Sequence, residues 1–181
     1  MFDVNLSKEI FSQLINGKVI SKSILNNGGD FIDNPLFAEI IHNLDDYRTQ
    51  YKMSGYDFVE QSDFFYIREQ VIQENDLKTD ITMKVCVLLL LIGKYLTESN
   101  FRLTKLTESS GGLTNADFDA IQERPDTQEI LDKSKIKDFR TGIKSILVDK
   151  NILLQKPGSH SYILSDAGRF FFTEIVANYN S

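Results

Sequence analysis

The chain has 181 residues, with 20 Lys or Arg against 26 Asp or Glu, a net charge of −6, and 41% apolar residues. Its 13 Phe and 7 Tyr are ample for a hydrophobic core, so the composition excludes an intrinsically disordered protein. An acidic chain is also a poor candidate for non-specific nucleic-acid binding on its own. The length allows one domain or two small ones.

The cysteine content and the length of the apolar runs indicate in which cellular compartment the protein is expected. Cys86 is the one cysteine and cannot form an internal disulfide, which suits a reducing cytosol. We expect no signal peptide, because no basic segment followed by an apolar one opens the chain. The longest apolar run, Val85–Ile92, is too short to span a membrane. The sequence therefore predicts a cytoplasmic protein without a membrane partner.

The first part of the chain predicts two amphipathic helices followed by a hairpin. Apolar residues at helical spacing predict a helix over Leu6–Ile15, and Pro35 opens a second helix that runs to Ser54-Gly55. Between them, Asn26–Asp30 reads as a loop. Two alternating segments, Tyr56–Glu60 and Phe64–Arg68, then predict a β-hairpin.

The second part begins after a polar stretch, 73–79, which we interpret as a linker. Asp80 opens a long helix to about Glu98, and its apolar residues lie nearly all round, so we expect it to be buried. A loop at Ser109–Gly112 leads to a helix over Asn115–Arg124, which Pro125 ends.

The segment Ser134–Gly168 repeats the helix-then-hairpin order. Apolar spacing predicts a helix over Ile136–Lys150, and Ile152–Leu154 and Tyr162–Leu164 flank turn residues. Ser165 is typical of an N-cap for a closing helix.

A helix that leads into a two-stranded wing is the winged variant of the helix-turn-helix, which contacts DNA or proteins. We therefore predict an α+β, mainly helical fold with two tandem winged-helix domains, each a helical core with a short β-hairpin wing. The predicted domains are 1–72 and 80–181, joined by the linker 73–79.

Enzymatic patterns are scarce in this sequence. His42 and His160 have no partner at metal-ligand spacing, and Ser109–Gly112 lacks the Lys-Ser/Thr that a P-loop needs. The apolar neighbours of Cys86 are expected to raise its pKa, which makes it a poor nucleophile. We predict no enzyme, and no catalytic, metal or cofactor residues.

The one chemical asymmetry is a basic island from Lys133 to His160. It holds seven Lys or Arg and two Asp, a local charge of +5, which leaves −11 for the rest of the chain. On an ideal helical wheel Lys137, Arg140 and Lys144 fall within about 60° of each other. Several cations on one surface suit phosphate binding, and no cluster of base-reading side chains is present, so we expect sequence-independent contact with double-stranded DNA. A solvated helix face is the alternative. The DNA-binding candidates are Lys133, Lys135, Lys137, Arg140, Lys144, Lys150, Lys156, Ser159 and His160.

The chain resembles the MukE/MksE family, small accessory subunits of bacterial condensins. The resemblance rests on Asn34-Pro35-Leu36-Phe37, on the following helix with Tyr47 and Tyr51, and above all on Phe64-Phe65-Tyr66-Ile67-Arg68. The order of elements is similar from about Phe11 to Ile175, which is most of the chain. The chain lacks the long acidic tail of MukE, so it is more similar to the MksE branch.

The resemblance implies a tandem winged-helix subunit that forms a homodimer and binds a kleisin of the MukF/MksF type. Through the kleisin it would join an SMC ATPase of the MukB/MksB type and contribute DNA contact on the nucleoid, for chromosome organisation. Related complexes with a nuclease-like subunit restrict plasmids. The sequence does not distinguish chromosome segregation from plasmid defence.

The family-like strand has two apolar faces. Phe64 and Tyr66 share one face, and Phe65 and Ile67 share the other. We expect the domain core to cover one face, and the sister domain, the dimer mate or the kleisin to cover the other. The partner-binding candidates are Phe64, Phe65, Tyr66, Ile67 and Arg68.

Two other functions stay open from the sequence. A free-standing winged-helix transcription regulator would bind a palindromic operator as a dimer, but the net charge and the missing base readers argue against it. A pure protein-interaction module would show no salt-sensitive DNA binding. The acidic remainder favours a subunit that a larger partner brings to DNA.

Overall fold

The computed structural model describes residues 2–70, here called the first half, and residues 80–179, called the second half. The predicted linker, 73–79, lies outside the described residues. The fold is mixed α/β, about 53% helical with small sheets, as the predicted fold class requires.

The first half opens with helix α1, Val4–Ile15, as predicted. The Asp3 side chain caps it by accepting hydrogen bonds from the amides of Asn5 and Leu6. Ile10 and Leu14 are the buried residues of its inner face. A short strand β1, Ile20–Ser21, follows.

The predicted loop at Asn26–Asp30 is the tip of a hairpin that the sequence analysis missed. Strands β2, Ser23–Leu25, and β3, Phe31–Asp33, pair antiparallel on either side of it. The Asn26 side-chain oxygen accepts from the amides of Gly28 (2.8 Å) and Asp30 (3.0 Å). The turn is therefore closed by the Asn26 side chain together with the backbone hydrogen bond from the Asn26 amide to the Asp30 carbonyl at 2.9 Å.

The single helix predicted from Pro35 to Ser54 is wrong, because it is two helices. These are α2, Pro35–His42, and α3, Leu44–Met53, and they are separated at Asn43, whose backbone (φ −125°, ψ 34°) leaves the helical region. Pro35 stands at the start of α2 as expected, after an Asn34 side chain that accepts from the amide of Leu36 (3.0 Å).

The first predicted hairpin is confirmed. Strands β4, Tyr56–Glu60, and β5, Phe64–Glu69, pair antiparallel, and β5 also pairs with β1. The sheet order is β1-β5-β4.

The second half begins with the predicted long helix α4, Asp80–Glu98. The elements that follow it are α5, Thr104–Thr107, β6, Leu113–Thr114, α6, Asn115–Gln122, and α7, Thr127–Lys133. Strand β6 was not predicted, because two residues carry no detectable alternation.

The end of the second half contains the second predicted hairpin. Helix α8, Phe139–Gly142, continues into a π-helical segment, Ile143–Val148, and then come β7, Leu153–Gln155, β8, Ser161–Leu164, and α9, Asp166–Tyr179. The sheet order β6-β8-β7 repeats that of the first half: the first strand pairs with the last, and the last pairs with the middle one.

Each half has its own hydrophobic core, and strand β5 contributes to both. The first core includes Ile10, Ile40 and Phe65, all within the first half. The second core is built on α4, yet Val19 and Phe64 of the first half belong to it. Adjacent residues of β5 therefore point into different cores, as strand alternation requires.

The two halves are also joined by polar contacts around the missed hairpin. The Ser23 amide donates to Asp166 Oδ2 at 2.8 Å. The Arg169 guanidinium lies 4.6 Å from the centre of the Phe31 ring. These contacts hold the β2–β3 hairpin against the start of α9.

Candidate functional site

The helix that carries the basic island begins later than predicted. The Asp138 carboxylate caps α8 by accepting from the Thr141 amide and the Thr141 hydroxyl, each at 2.8 Å. These hydrogen bonds hold the pKa of Asp138 below its ordinary value. The prediction that the helix starts at Ile136 is wrong, because the cap fixes its first residue as Phe139.

The π-helical segment changes how side chains are spaced around this helix. The Asp149 amide donates to the carbonyl of Lys144, five residues back, at 2.8 Å. The helix ends at Asn151, as predicted, where a left-handed backbone (φ 62°) is followed by the Schellman bond from the Ile152 amide to the Leu147 carbonyl at 2.8 Å. The predicted wheel that grouped Lys137 with Lys144 assumed an ideal α-helix. Lys137 lies before the helix and Lys144 lies in the π-helical segment, so that wheel does not apply.

Two of the predicted DNA-binding cations already have carboxylate partners. Arg140 forms an ion pair with Asp119 of α6, and its Nε donates to Asp119 Oδ1 at 2.8 Å. Lys133 pairs with Glu129 one turn earlier in α7, at 2.7 Å. Such pairs neutralise charge without stabilising the fold much when both groups are exposed.

Two further cations donate to backbone carbonyls and so keep their charge. Lys150 Nζ donates to the carbonyl of Asn16, and Lys156 Nζ donates to that of Gly111 at 3.0 Å. A neutral acceptor leaves the positive field of each ammonium in place.

The remaining lysines of the island are the most available to a ligand. Lys135, Lys137 and Lys144 are exposed, and none forms an ion pair or side-chain hydrogen bond with the residues at 2–70 and 80–179. At the turn between β7 and β8, the hydroxyl groups of Ser159 and Ser161 form a hydrogen bond at 2.8 Å, and His160 is exposed. When Glu129 and Asp119 are counted with the island, its net charge falls from +5 to +3.

The partner-binding candidates on β5 divide into covered and uncovered residues. Phe64 and Phe65 are each 1% exposed. The Phe64 ring lies 5.4 Å and 5.7 Å from the rings of Phe170 and Phe171, centre to centre, so the second half covers this face of the strand. We expected the sister domain, the dimer mate or the kleisin to cover this face. Phe64 contacts the second half of the same chain, which corresponds to the sister domain.

The rest of that string reaches the surface. Tyr66 and Ile67 are half-buried. Arg68 is exposed, and its Nε donates to Asp57 Oδ2 at 3.2 Å. A protein partner could contact these three residues, whereas the phenylalanines before them are already packed.

Sequence reasoning missed a buried charged group at the start of α6. Asp117 has a side chain only 7% exposed, and it forms an ion pair with Lys105 at 2.8 Å. It also accepts from the Tyr95 hydroxyl (2.7 Å), the Thr114 amide (2.7 Å) and the Thr114 hydroxyl (2.9 Å). Burial would raise the pKa of Asp117, but the hydrogen bonds from Lys105, Thr114 and Tyr95 outweigh it, and the pKa is lowered.

Asp117 fixes α6 and thereby the residues opposite Arg140. Thr114 and Asp117 form a capping box, whose spacing of three residues is a signal that the sequence contained. The same carboxylate ties α6 to Tyr95 on α4 and to Lys105 on α5. This cluster therefore positions Asp119, which lies two residues later in α6. It does not form a ligand site, since its hydrogen-bonding groups are satisfied within the protein.

The structure offers little for metal chemistry. Within the described ranges no group of three or more His, Cys, Asp and Glu side chains could hold an ion. His42 contacts the carbonyl of Ala38 through Nδ1 at 2.7 Å. Burial raises the pKa of the Cys86 thiol, in agreement with the expectation from its apolar neighbours.

None of the helices in the described ranges combines the length and the apolar character that crossing a lipid bilayer requires.

Comparison with known proteins places the chain in a family. A search of curated proteins gave no significant match. The family model for condensin complex protein MksE matches residues 5–176, which is nearly the whole chain and includes both halves. The chain belongs to the MksE family of condensin complex proteins.

Proposed function

We propose that this chain binds a kleisin as a homodimer and, within the assembled complex, contacts the phosphates of double-stranded DNA without reading the base sequence. The family implies the coarser part of this role, an accessory subunit of a condensin-like complex that associates with other condensin subunits. The finer proposal adds an SMC ATPase reached through the kleisin, a cytoplasmic, nucleoid-associated location, and either chromosome organisation or plasmid defence. It includes no catalytic activity and no cofactor.

We further propose that the two halves are tandem winged-helix domains with boundaries at 1–72 and 80–181. Two observations support this. Both three-stranded sheets have the same order, in which the last strand lies between the first and the middle one. In both, helices separate the first strand from the hairpin, as in a winged helix.

The observation that carries the DNA proposal is the set of cations without a carboxylate partner in residues 2–70 and 80–179. Lys135, Lys137 and Lys144 lie within ten residues of each other and are exposed. Arg140 stands among them but is neutralised by Asp119, so we assign it a positioning role between α6 and α8. Charge that is not balanced within the protein is available to phosphates, which favours backbone contact.

A subunit interface also needs apolar surface, and α1 provides one. Val4, Phe11 and Ile15 lie at helical spacing and are 56%, 46% and 42% exposed, and they are about 100° around the helix from the buried Ile10 and Leu14. We propose that this face serves subunit association. It is separate in sequence from the basic island, so the two contacts can be tested independently.

The DNA proposal is tested with the triple variant K135E/K137E/K144E. The protein is bound to a kleisin fragment, and its affinity for a random duplex is measured by fluorescence anisotropy over a range of KCl concentrations. If each lysine neutralises one phosphate, the slope of log K against log salt should become shallower by about 2.7. The control reverses Lys52 and Arg102, which are exposed and have no ion pair with any described residue, and it should leave the slope unchanged.

Different failures have different meanings. An unchanged slope in the triple variant would refute the DNA contact and favour a protein-interaction module. Failure of the wild-type protein to bind any kleisin fragment would refute the kleisin part. Tight, sequence-specific binding to an operator by the protein alone would instead favour a transcription regulator.

A further inference from the structure

The turn that follows the π-helical segment, at Lys150 and Asn151, is hydrogen-bonded directly to the first half. The Val19 amide donates to the carbonyl of Lys150 at 3.0 Å, and the Asn151 side-chain amide donates to the carbonyl of Val19 at 3.1 Å. Lys150 Nζ donates to the carbonyl of Asn16. The α1–β1 loop, Asn16–Val19, therefore adjoins the part of the basic island around Lys150. We call this boundary between the two halves the seam, and one continuous surface crosses it.

Lys18 lies in the middle of this loop. It is partly exposed and forms no ion pair with any residue of the described ranges. Its backbone is held in place, since its amide donates to the carbonyl of Gln13 at 3.0 Å. A β-carbon added to the preceding residue, Gly17, would lie 3.2 Å from Lys150 Nζ, which shows how closely the two lysine-bearing segments approach.

The cations on this surface follow one another from the second half to the first. Lys144 lies in the π-helical segment, six residues before Lys150. Six residues of helix rise by at most about 9 Å, which is close to the screening length of about 8 Å at physiological salt. The positive field of each ammonium is therefore only partly screened at the other. Lys150 contacts the loop that carries Lys18. Asp149 is the one carboxylate on the segment from Lys144 to Lys150.

We propose that Lys18 extends the phosphate-binding surface of the second half onto the first half. Its ligand is the phosphate backbone of double-stranded DNA, the same polyanion that Lys135, Lys137 and Lys144 contact, and the inference rests on the DNA contact proposed above. The DNA path then runs along the island and over the seam, so both halves touch the same duplex. Lys150 supplies charge and also holds the α1–β1 loop in position through its bond to Asn16.

The test compares Lys18→Glu and Lys18→Gln with Lys52→Glu, in the kleisin-bound protein, by salt-dependent anisotropy on a random duplex. Lys52 is the matched control because it is an exposed lysine of the same half, on α3, without an ion pair among the described residues. Lys18→Gln removes one cation without adding a carboxylate, and it should make the salt slope shallower by about 0.9. Lys18→Glu should weaken binding further, and Lys52→Glu should leave both the slope and the affinity unchanged. Circular dichroism melting curves should be the same for all variants.

The outcomes separate this inference from the proposed function. If the K135E/K137E/K144E variant loses slope while both Lys18 variants bind like Lys52→Glu and the wild type, the extension to the first half is wrong and the DNA contact stands. If neither the triple variant nor the Lys18 variants change the slope, both proposals are wrong. If the Lys18 variants lose affinity but keep the wild-type salt slope, Lys18 acts on the fold of the loop and not on phosphates.

Discussion

Removal of the Asp117 carboxylate should be the most damaging single change to the polar interior of the second half. Asp117→Ala leaves the Lys105 ammonium, with a side chain 22% exposed, without its partner. It also leaves the Tyr95 hydroxyl and the Thr114 amide without an acceptor. Breaking a buried ion pair from one side costs about 3 to 5 kcal/mol. Because Lys105 can still reach water, we expect a loss of about 3 kcal/mol.

The measurement is urea unfolding followed by circular dichroism, with Glu129→Ala as the control. Glu129 also pairs with a lysine at 2.7 Å, but both side chains are at least 70% exposed, so its removal should cost about 0.5 kcal/mol or less. For a chain of this size, 3 kcal/mol corresponds to a fall in Tm of about 6 to 12 °C. A loss for Asp117→Ala no greater than that for Glu129→Ala would refute the reasoning.

The same cluster predicts a pH dependence with a definite sign. The folded-state pKa of Asp117 is lowered, so its contribution to stability is present above the unfolded pKa of about 3.9 and is lost as the pH falls through the folded pKa. The difference in unfolding free energy between wild type and Asp117→Asn should therefore shrink below about pH 4. A difference that stayed constant down to the acid transition would contradict this assignment.

Two further predictions concern the cores. Tyr51→Phe should raise the unfolding free energy by about 1 kcal/mol, because the buried Tyr51 hydroxyl has no hydrogen-bond partner among the residues that the structure describes. Tyr47→Phe should lower it, since that hydroxyl bonds to Ser7 at 2.8 Å. Equal effects in urea unfolding would contradict this. Gly168→Ala should cost about 1 to 3 kcal/mol, because the new β-carbon would lie 2.3 Å from the Ile152 carbonyl oxygen, and Gly93→Ala, which meets only the Phe172 ring at 3.3 Å, should cost less. Thermal melting that ranked the two glycine variants the other way would refute the packing argument.

Elements with a strong local signal could be predicted from the sequence. The hairpin at Tyr56–Glu60 and Phe64–Glu69 has alternation on both strands, and the helix Asp80–Glu98 has a long apolar run. Boundaries that depend on one side chain were harder to predict. Asn43 ends α2 and Asp138 starts α8, yet each stands within a pattern that continues through it.

The π-helical segment could not be predicted, because tertiary packing determines it. Gly142, just before it, lies so close to α4 that an added β-carbon would be 3.1 Å from Leu88 and 2.9 Å from Ile136. No local pattern reports that approach. The candidate surface shows the same limit: the sequence contains the seven cations, but the pairing of Arg140 with Asp119 joins residues 21 apart, and the approach of Lys150 to Asn16 joins residues 134 apart.

The pairing register of strand β5 with β1 and β4 is fixed by side-chain packing on both faces of the strand. Phe64 fills the core of the second half and Phe65 fills that of the first, and each is 1% exposed. A slip by one residue against β1 and β4 would exchange the two faces of the strand. Ile67 would then replace Tyr66 beside the α4 core, and Arg68 would replace Ile67 beside the core of the first half. Because the neighbouring side chains differ in size and polarity, both cores would be misfilled by the same error. The alternative pairing is thus disfavoured in two places at once, so the correct docking of the halves and the correct pairing of the sheet select the same structure.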